Sequence, residues 1–231
     1  MRPLLTFCLE PVLNAVDIPS VMEKVNGTLF NVAPSIYRSK PSLEVDSAWQ
    51  SITAIKTWAV SAEDIEKLGK DPSKTIKMPD EFGFGPGKYA VSLDIQHNLH
   101  CLNLLRKHLN YDYYYRTKFG DRLPILDENH RDHCIDILRQ TLMCYSSLDL
   151  VTYNWVEGQS GPFPDFNINR RCRDHKKLLE WQEEAFIADE TWLTIQRKET
   201  ELVLPPRPGF DEWMAEETKL DNTKINAHQQ G

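Results

Sequence analysis

The sequence predicts a mainly α fold with minor β: a single-domain helical core, short strands and long loops. Three observations predict it. Apolar residues recur at helical spacing over residues 43–52, 93–109, 128–145 and 172–188. Breakers crowd the stretches between, with Pro3, Pro11, Pro19 and Pro34 at the start, GFGPG at 83–87 and GQSGPFPDF at 158–166. The length of 231 residues suits one domain with a real core.

The elements follow in order. Residues 1–34 read as irregular. The first helix starts near Leu43, with Val45, Ala48, Trp49 and Ile52 on one side and Pro41 suited to a first turn. Ser61-Ala62-Glu63-Asp64 resembles a capping box, opening a short helix to about Leu68. Residues 70–88 form a loop without Walker spacing, so it is no phosphate cradle. Tyr89 to Ile95 suits a short strand. Two strong helices run from about Leu93 to Leu109 and from Glu128 to Tyr145, the second with Asp127 as N-cap. Between them lies an aromatic loop, YDYYYRTKFGDRLPIL. Residues 151–155 suit an extended segment, and another helix covers Cys172 to Ala188. The core thus spans 35–190, and 191–231 is a polar tail.

Composition removes several function classes. A net charge of −7 argues against nucleic acid as a partner. No apolar run reaches the roughly 20 residues of a membrane helix. Arg2 and the short apolar stretch after it make a weak signal peptide, interrupted by Pro11, Asn14 and Asp17, so the chain as given is expected to be soluble. Asn26-Gly27-Thr28 is an N-glycosylation triplet, which has meaning only in the secretory pathway.

The chemistry sits in two stretches, HNLHC at 97–101 and HRDHC at 130–134. On a helix, positions i, i+3 and i+4 share a face. His97, His100 and Cys101 therefore point one way, as do His130, His133 and Cys134. Two such helices packed antiparallel bring four imidazoles together, as in metal sites of helical bundles. Two chance copies of this motif are expected about once in a hundred thousand such chains. Neither pair is the HExxH of zinc hydrolases, and neither has the His-x-Asp/Glu of a facial iron triad. Imidazoles with few carboxylates lean towards copper, one ion or two, with zinc as the alternative. Asp94 and Asp136 are candidates to orient an imidazole through its other N–H, while Asp132 points away. His175, three residues after Cys172, is a candidate extra ligand or proton donor. His108 lies about 16 Å along the helix from His97 and reads as surface. Tyr111, Tyr113, Tyr114 and Tyr115 read as packing residues, and His228 as inert.

The cysteines admit two roles. As thiolates, Cys101 and Cys134 would join a structural zinc site. As disulfides, Cys101–Cys134 and Cys144–Cys172 are the pairs of choice, leaving Cys8 free and the imidazoles as sole ligands.

HNLHCLNLLRKHLNYDYYY, HRDHCIDILRQTLMC, the CRD of 172–174 and the upstream PSLEVDSAWQSI together resemble the fungal UstYa-like oxidase family, whose hallmark is this pair of HxxHC motifs. The resemblance covers roughly residues 35–190, making that core the catalytic domain. It implies an oxidoreductase of fungal secondary-metabolite biosynthesis, mycotoxin or ribosomal peptide. Such an enzyme uses copper, O2 and an external reductant to functionalise C–H bonds of a small-molecule or peptide substrate. Oxidative cyclisation, hydroxylation, desaturation and halogenation are all reactions it implies. His97, His100, His130 and His133 carry over as metal ligands and catalytic residues. The resemblance also implies a secretory or endomembrane lumen, and a homo- or hetero-oligomer with another family member. Typical members begin with a membrane helix, which this sequence lacks. The competing reading is a zinc-stabilised or disulfide-stapled protein without catalysis, accessory to such a pathway.

Overall fold

The computed structural model describes residues 10–30, 34–121, 123–199, 201–211 and 214–215. The helices are α1 Leu43–Thr53, α2 Ala62–Lys67, α3 Asp94–Leu109, α4 Tyr111–Tyr114, α5 Arg116–Phe119, α6 Ile125–Tyr145, α7 His175–Ala185 and α8 Asp189–Trp192. The strands are β1 Ser20–Lys24, β2 Lys56–Val60, β3 Tyr89–Val91, β4 Thr152–Asn154, β5 Phe163–Asp165, β6 Asn169–Arg173 and β7 Ile187–Ala188. Helix thus dominates a mixed fold with short antiparallel strands. Backbone contacts group the chain into two compact units, residues 1–96 with 144–195, and residues 97–143 with 196–231.

In the first unit, Ser42 caps α1 by accepting a hydrogen bond from the Val45 N–H. Pro41 therefore lies before the cap, not in the first turn as expected. Val45, Trp49 and Thr53, four residues apart, form the buried stripe, and Trp49 meets Tyr37 edge-on at 5.4 Å. β2, unmarked by any turn signal, is the centre of a three-stranded sheet between β3 and β7. The capping box on α2 is complete, Ser61 and Asp64 each bonding the other's backbone N–H. Asp64 is held below the usual carboxylate range, chiefly by the Ser61 hydroxyl. Val60, Ile65 and Tyr89 form a core with Trp58, Ala62 and Val91 around it. Trp58 also packs on Trp181 and Phe186, at 5.0 and 5.6 Å between ring centroids.

The expected helix from Cys172 is shorter. Asp174 caps α7 by accepting from the Lys177 N–H, while Asn169–Arg173 is extended as β6 and pairs antiparallel with β1. That pairing also corrects the irregular reading of 1–34, since Ser20–Lys24 is a strand. Beyond β1, Gly27 is backed against the Phe166 carbonyl, where an added Cβ would lie 2.1 Å from the oxygen. The Gln96 amide donates to Gln182 at 2.7 Å, and Gln182 donates on to the Ala54 carbonyl. This buried amide pair ties the first turn of α3 to α7 and α1.

The second unit holds α3 from His97, the turns α4 and α5, and α6 as far as Met143. The expected aromatic loop is therefore partly helical. Arg106 fixes it, donating to Asn103 Oδ1 and to the Tyr114 hydroxyl. Gly120, at φ +70°, ends α5, and its carbonyl accepts the Tyr111 hydroxyl. Thr141 on α6 donates to Asn98 on α3. Among the described residues, no helix is long and apolar enough to cross a membrane.

Candidate metal centre

Both motifs lie on helices, HNLHC in α3 and HRDHC in α6. The structure faces their histidines towards each other. His97 and His133 rings are 5.5 Å apart between centroids, and His100 and His130 rings 5.8 Å. A disulfide joins Cys101 to Cys134, with Cα atoms 4.9 Å apart and both residues fully buried. It forms the floor between the helices. The imidazoles stand nearer the surface: His97, His100 and His130 are half-buried and His133 is exposed.

The ring spacings suit a shared ion. With metal–nitrogen bonds of about 2.0 Å, two imidazoles on one ion place their centroids roughly 5 Å apart at a tetrahedral angle and about 6 Å apart when opposed. Both cross-helix pairs fall in that span. His130 and His133, at 6.3 Å, sit at its upper edge. Burial pushes the His130 imidazole below its ordinary value, and the neighbouring His133 and His97 push the same way against Asp127. A neutral imidazole is the form that binds a metal.

His97, Cys101 and His133 also bring three potential ligand atoms within 4.8 Å of one another. The sulfur of that trio is the disulfide sulfur, 3.8 Å from His97 Nε2. A disulfide offers no thiolate, so while the bridge is closed the imidazoles are the candidate donors. It also removes the motif cysteines from any Cys-His zinc set while it is closed.

The other expected residues fall differently. Cys144 and Cys172 are free thiols, contrary to the expected second bridge. Cys172 is fixed in the β1–β6 ladder opposite Val21, and Cys144 is exposed in the last turn of α6. Asp136 accepts from Arg139 and Gln140, which hold it below the usual carboxylate range. Asp94 is the exposed first residue of α3, three residues before His97. His175 opens α7, also in the first unit, and burial pushes its imidazole below the ordinary value. Asp132 accepts a hydrogen bond from Arg131. Asn26 is exposed, beside a Thr28 hydroxyl that donates to Asn167. Cys8 and His228 lie outside the described residues.

Two residues were misread from sequence. His108 is not a surface residue: both ring nitrogens are buried without a hydrogen-bond partner, and the ring meets Tyr115 edge-on at 4.9 Å. Asp127 is not a cap, because α6 begins two residues earlier.

Comparison with known proteins follows the motifs. Residues 8–185 match the family described as mycotoxin biosynthesis protein UstYa. The chain is 39% identical over 180 residues to the UstYa family oxidase aprY of Aspergillus flavus, covering 75% of this chain and 54% of that protein. It is 32% identical over 161 residues to the UstYa family oxidase phomYc of Diaporthe leptostromiformis, covering 64% and 58%. A further relative, 31% identical over 161 residues and covering 63% and 50%, is named transacylase cctO, of Talaromyces islandicus. The chain spans about half the length of the curated relatives it matches. No solved structure matches it.

Proposed function

This chain belongs to the UstYa family, and we propose that it is a copper-dependent oxidase that functionalises C–H bonds of a small-molecule or peptide substrate in fungal secondary-metabolite biosynthesis. The observation that carries the proposal is the pair of facing imidazoles on each side of the α3–α6 seam. The printed name of its aprY relative, an oxidase, supports the reaction class. The transacylase name has less support from the chain, because both motif cysteines are bonded to each other and neither is a free nucleophile.

His97 and His133 form one half of the site and His100 and His130 the other, holding one copper or two. Bound copper supplies one-electron redox chemistry towards O2, with electrons from an external reductant. The protein contributes position. The Cys101–Cys134 bridge fixes the spacing of the two helices at the level of the imidazoles. The exposed side at His133 admits substrate and reductant, and the buried floor keeps water from the opposite side. Hydroxylation, halogenation, desaturation and oxidative cyclisation all begin from an activated C–H position, and the substrate's fit decides among them. A buried disulfide and the exposed Asn26 triplet support a secretory or endomembrane lumen. Tyr145, Leu148, Leu150, Tyr153 and Trp155 are exposed in the first unit, which supports association with another family member.

Copper-loaded protein supplied with a reductant should consume O2 faster than its His100→Ala/His133→Ala variant. Equal rates would contradict an oxygen-using site. In the zinc-stabilised or disulfide-stapled accessory reading, the wild-type chain gives no such excess and holds a redox-silent metal or none.

A further inference from the structure

The Cys101–Cys134 bridge stands inside the cluster of ligand atoms. His97 and Cys101 are one helical turn apart, and His97 Nε2 lies 3.8 Å from Cys101 Sγ. Zinc held tetrahedrally by one imidazole and one thiolate, at about 2.0 and 2.3 Å, puts its nitrogen and sulfur roughly 3.6 Å apart. The His97–Cys101 pair therefore already has nearly the separation of two ligands on one zinc. His133 brings a ring nitrogen to within 4.8 Å of both, so about an ångström of side-chain movement closes the trio. Cys134 Sγ is bonded to Cys101 Sγ and is the fourth ligand atom at hand.

Burial decides which metal suits these atoms. Both cysteines are fully buried. A closed bridge fits that place, being uncharged and without a polar hydrogen. Opened, the same sulfurs are two thiols out of water, and as thiolates each would carry a charge that burial penalises. Zinc offsets that penalty. Two thiolates, two neutral imidazoles and one Zn2+ sum to zero charge, and Cys2His2 is a common structural zinc set. Soft thiolates also select zinc over the hard divalent ions. His100 and His130, whose rings face each other at 5.8 Å, stand outside this set.

We propose that reduction of the Cys101–Cys134 bridge turns His97, Cys101, His133 and Cys134 into a Cys2His2 zinc centre, so that the redox state of the bridge selects the metal. A dithiol gives two electrons and two protons to the bridge, the Sγ–Sγ bond breaks, and the dithiol leaves as its own disulfide. Zinc then displaces one proton from each thiol to solvent as two Zn–S bonds form. Zinc bound in this way takes His97 and His133 out of the four-imidazole set. That exclusion of copper rests on the four-histidine reading above, whereas the zinc centre itself does not.

The test uses the whole chain, reduced by a dithiol in urea so that the buried bridge is reached. The dithiol and urea are then removed without air, and zinc or cobalt(II) is added. Tetrahedral cobalt(II) reports its ligands, because thiolates give a sulfur-to-cobalt charge-transfer band that imidazoles alone do not. The reduced chain should take one ion with that band. It should bind zinc more than about 100-fold tighter than the oxidised chain, since two direct ligands outweigh the outer partners whose loss costs up to that much. Cys101→Ser/Cys134→Ser, which keeps Cys8, Cys144 and Cys172, should lose the band, and His97→Ala should weaken zinc binding. His100→Ala/His130→Ala should keep the band. Equal zinc affinity in the reduced and oxidised chains, or a band that survives loss of both motif cysteines, would overturn the proposal. Where the reduced chain does not fold alone, zinc should restore its helical circular dichroism, and a chain that stays unfolded with zinc would overturn it equally. Copper binding by the oxidised chain is read separately: its failure would overturn the four-histidine reading and the metal selection with it, while the cobalt band still decides the zinc centre.

Discussion

Each proposed ligand owes its position to helical spacing, and this is why the histidines were legible. His97, His100, His130 and His133 needed only local periodicity and one packing partner to meet. Replacing His130 with Ala should cost more copper affinity than the roughly 10- to 100-fold typical of an outer partner. Isothermal titration against wild type would show it, and unchanged affinity would place the copper elsewhere. His108 was less legible, because its burial depends on Tyr115, which lies between α4 and α5. The buried imidazoles also set a pH dependence. His108, His130 and His175 are all held below the ordinary value, with burial the largest cause. As pH falls through about 6.5, the unfolded chain takes up protons that the folded chain refuses. The metal-free protein should therefore lose stability between pH 7.5 and 5.5, above the range where carboxylates titrate. Thermal melts at the two values check this, and a melting temperature that rises on acidification would contradict it.

At the scale of elements, the seam between α3 and α6 rests on one covalent tie. The bridge closes a separation of 33 residues, for which chain entropy gives about 3–4 kcal/mol of stabilisation. Cys101→Ala/Cys134→Ala should lose roughly that much in a urea titration and bind copper more weakly, since the spacing of the imidazoles is then free to vary. A double variant as stable as wild type would show that packing alone holds the seam. Helix positions were read well where capping chemistry was local, as at Ser61 and Asp64. Strands were read poorly. β1 has four of its five residues exposed and no alternation, and its partner β6 lies more than half the chain away. Nothing local announces such a strand, and missing it extended the expected α7 through Cys172.

At the scale of the molecule, the same error produced the second expected bridge. Once Cys172 is recognised as a residue of β6 and not of α7, it no longer shares a helix facing Cys144. The thiols should report this directly. In native protein, Cys144 should alkylate first, Cys172 more slowly, and Cys101 and Cys134 only after reduction. A disulfide-linked peptide pair containing Cys144 and Cys172 would contradict the arrangement. The family was legible because its signature is short and helical, whereas the two-unit grouping depends on contacts far apart in sequence. The measurement that bears most directly on the account is metal analysis of the purified chain with EPR of its oxidised form. The account predicts one or two coppers per chain, lost in the His100→Ala/His133→Ala variant, with less EPR signal than total copper where two ions are coupled. Zinc alone, retained after copper reconstitution, would contradict it.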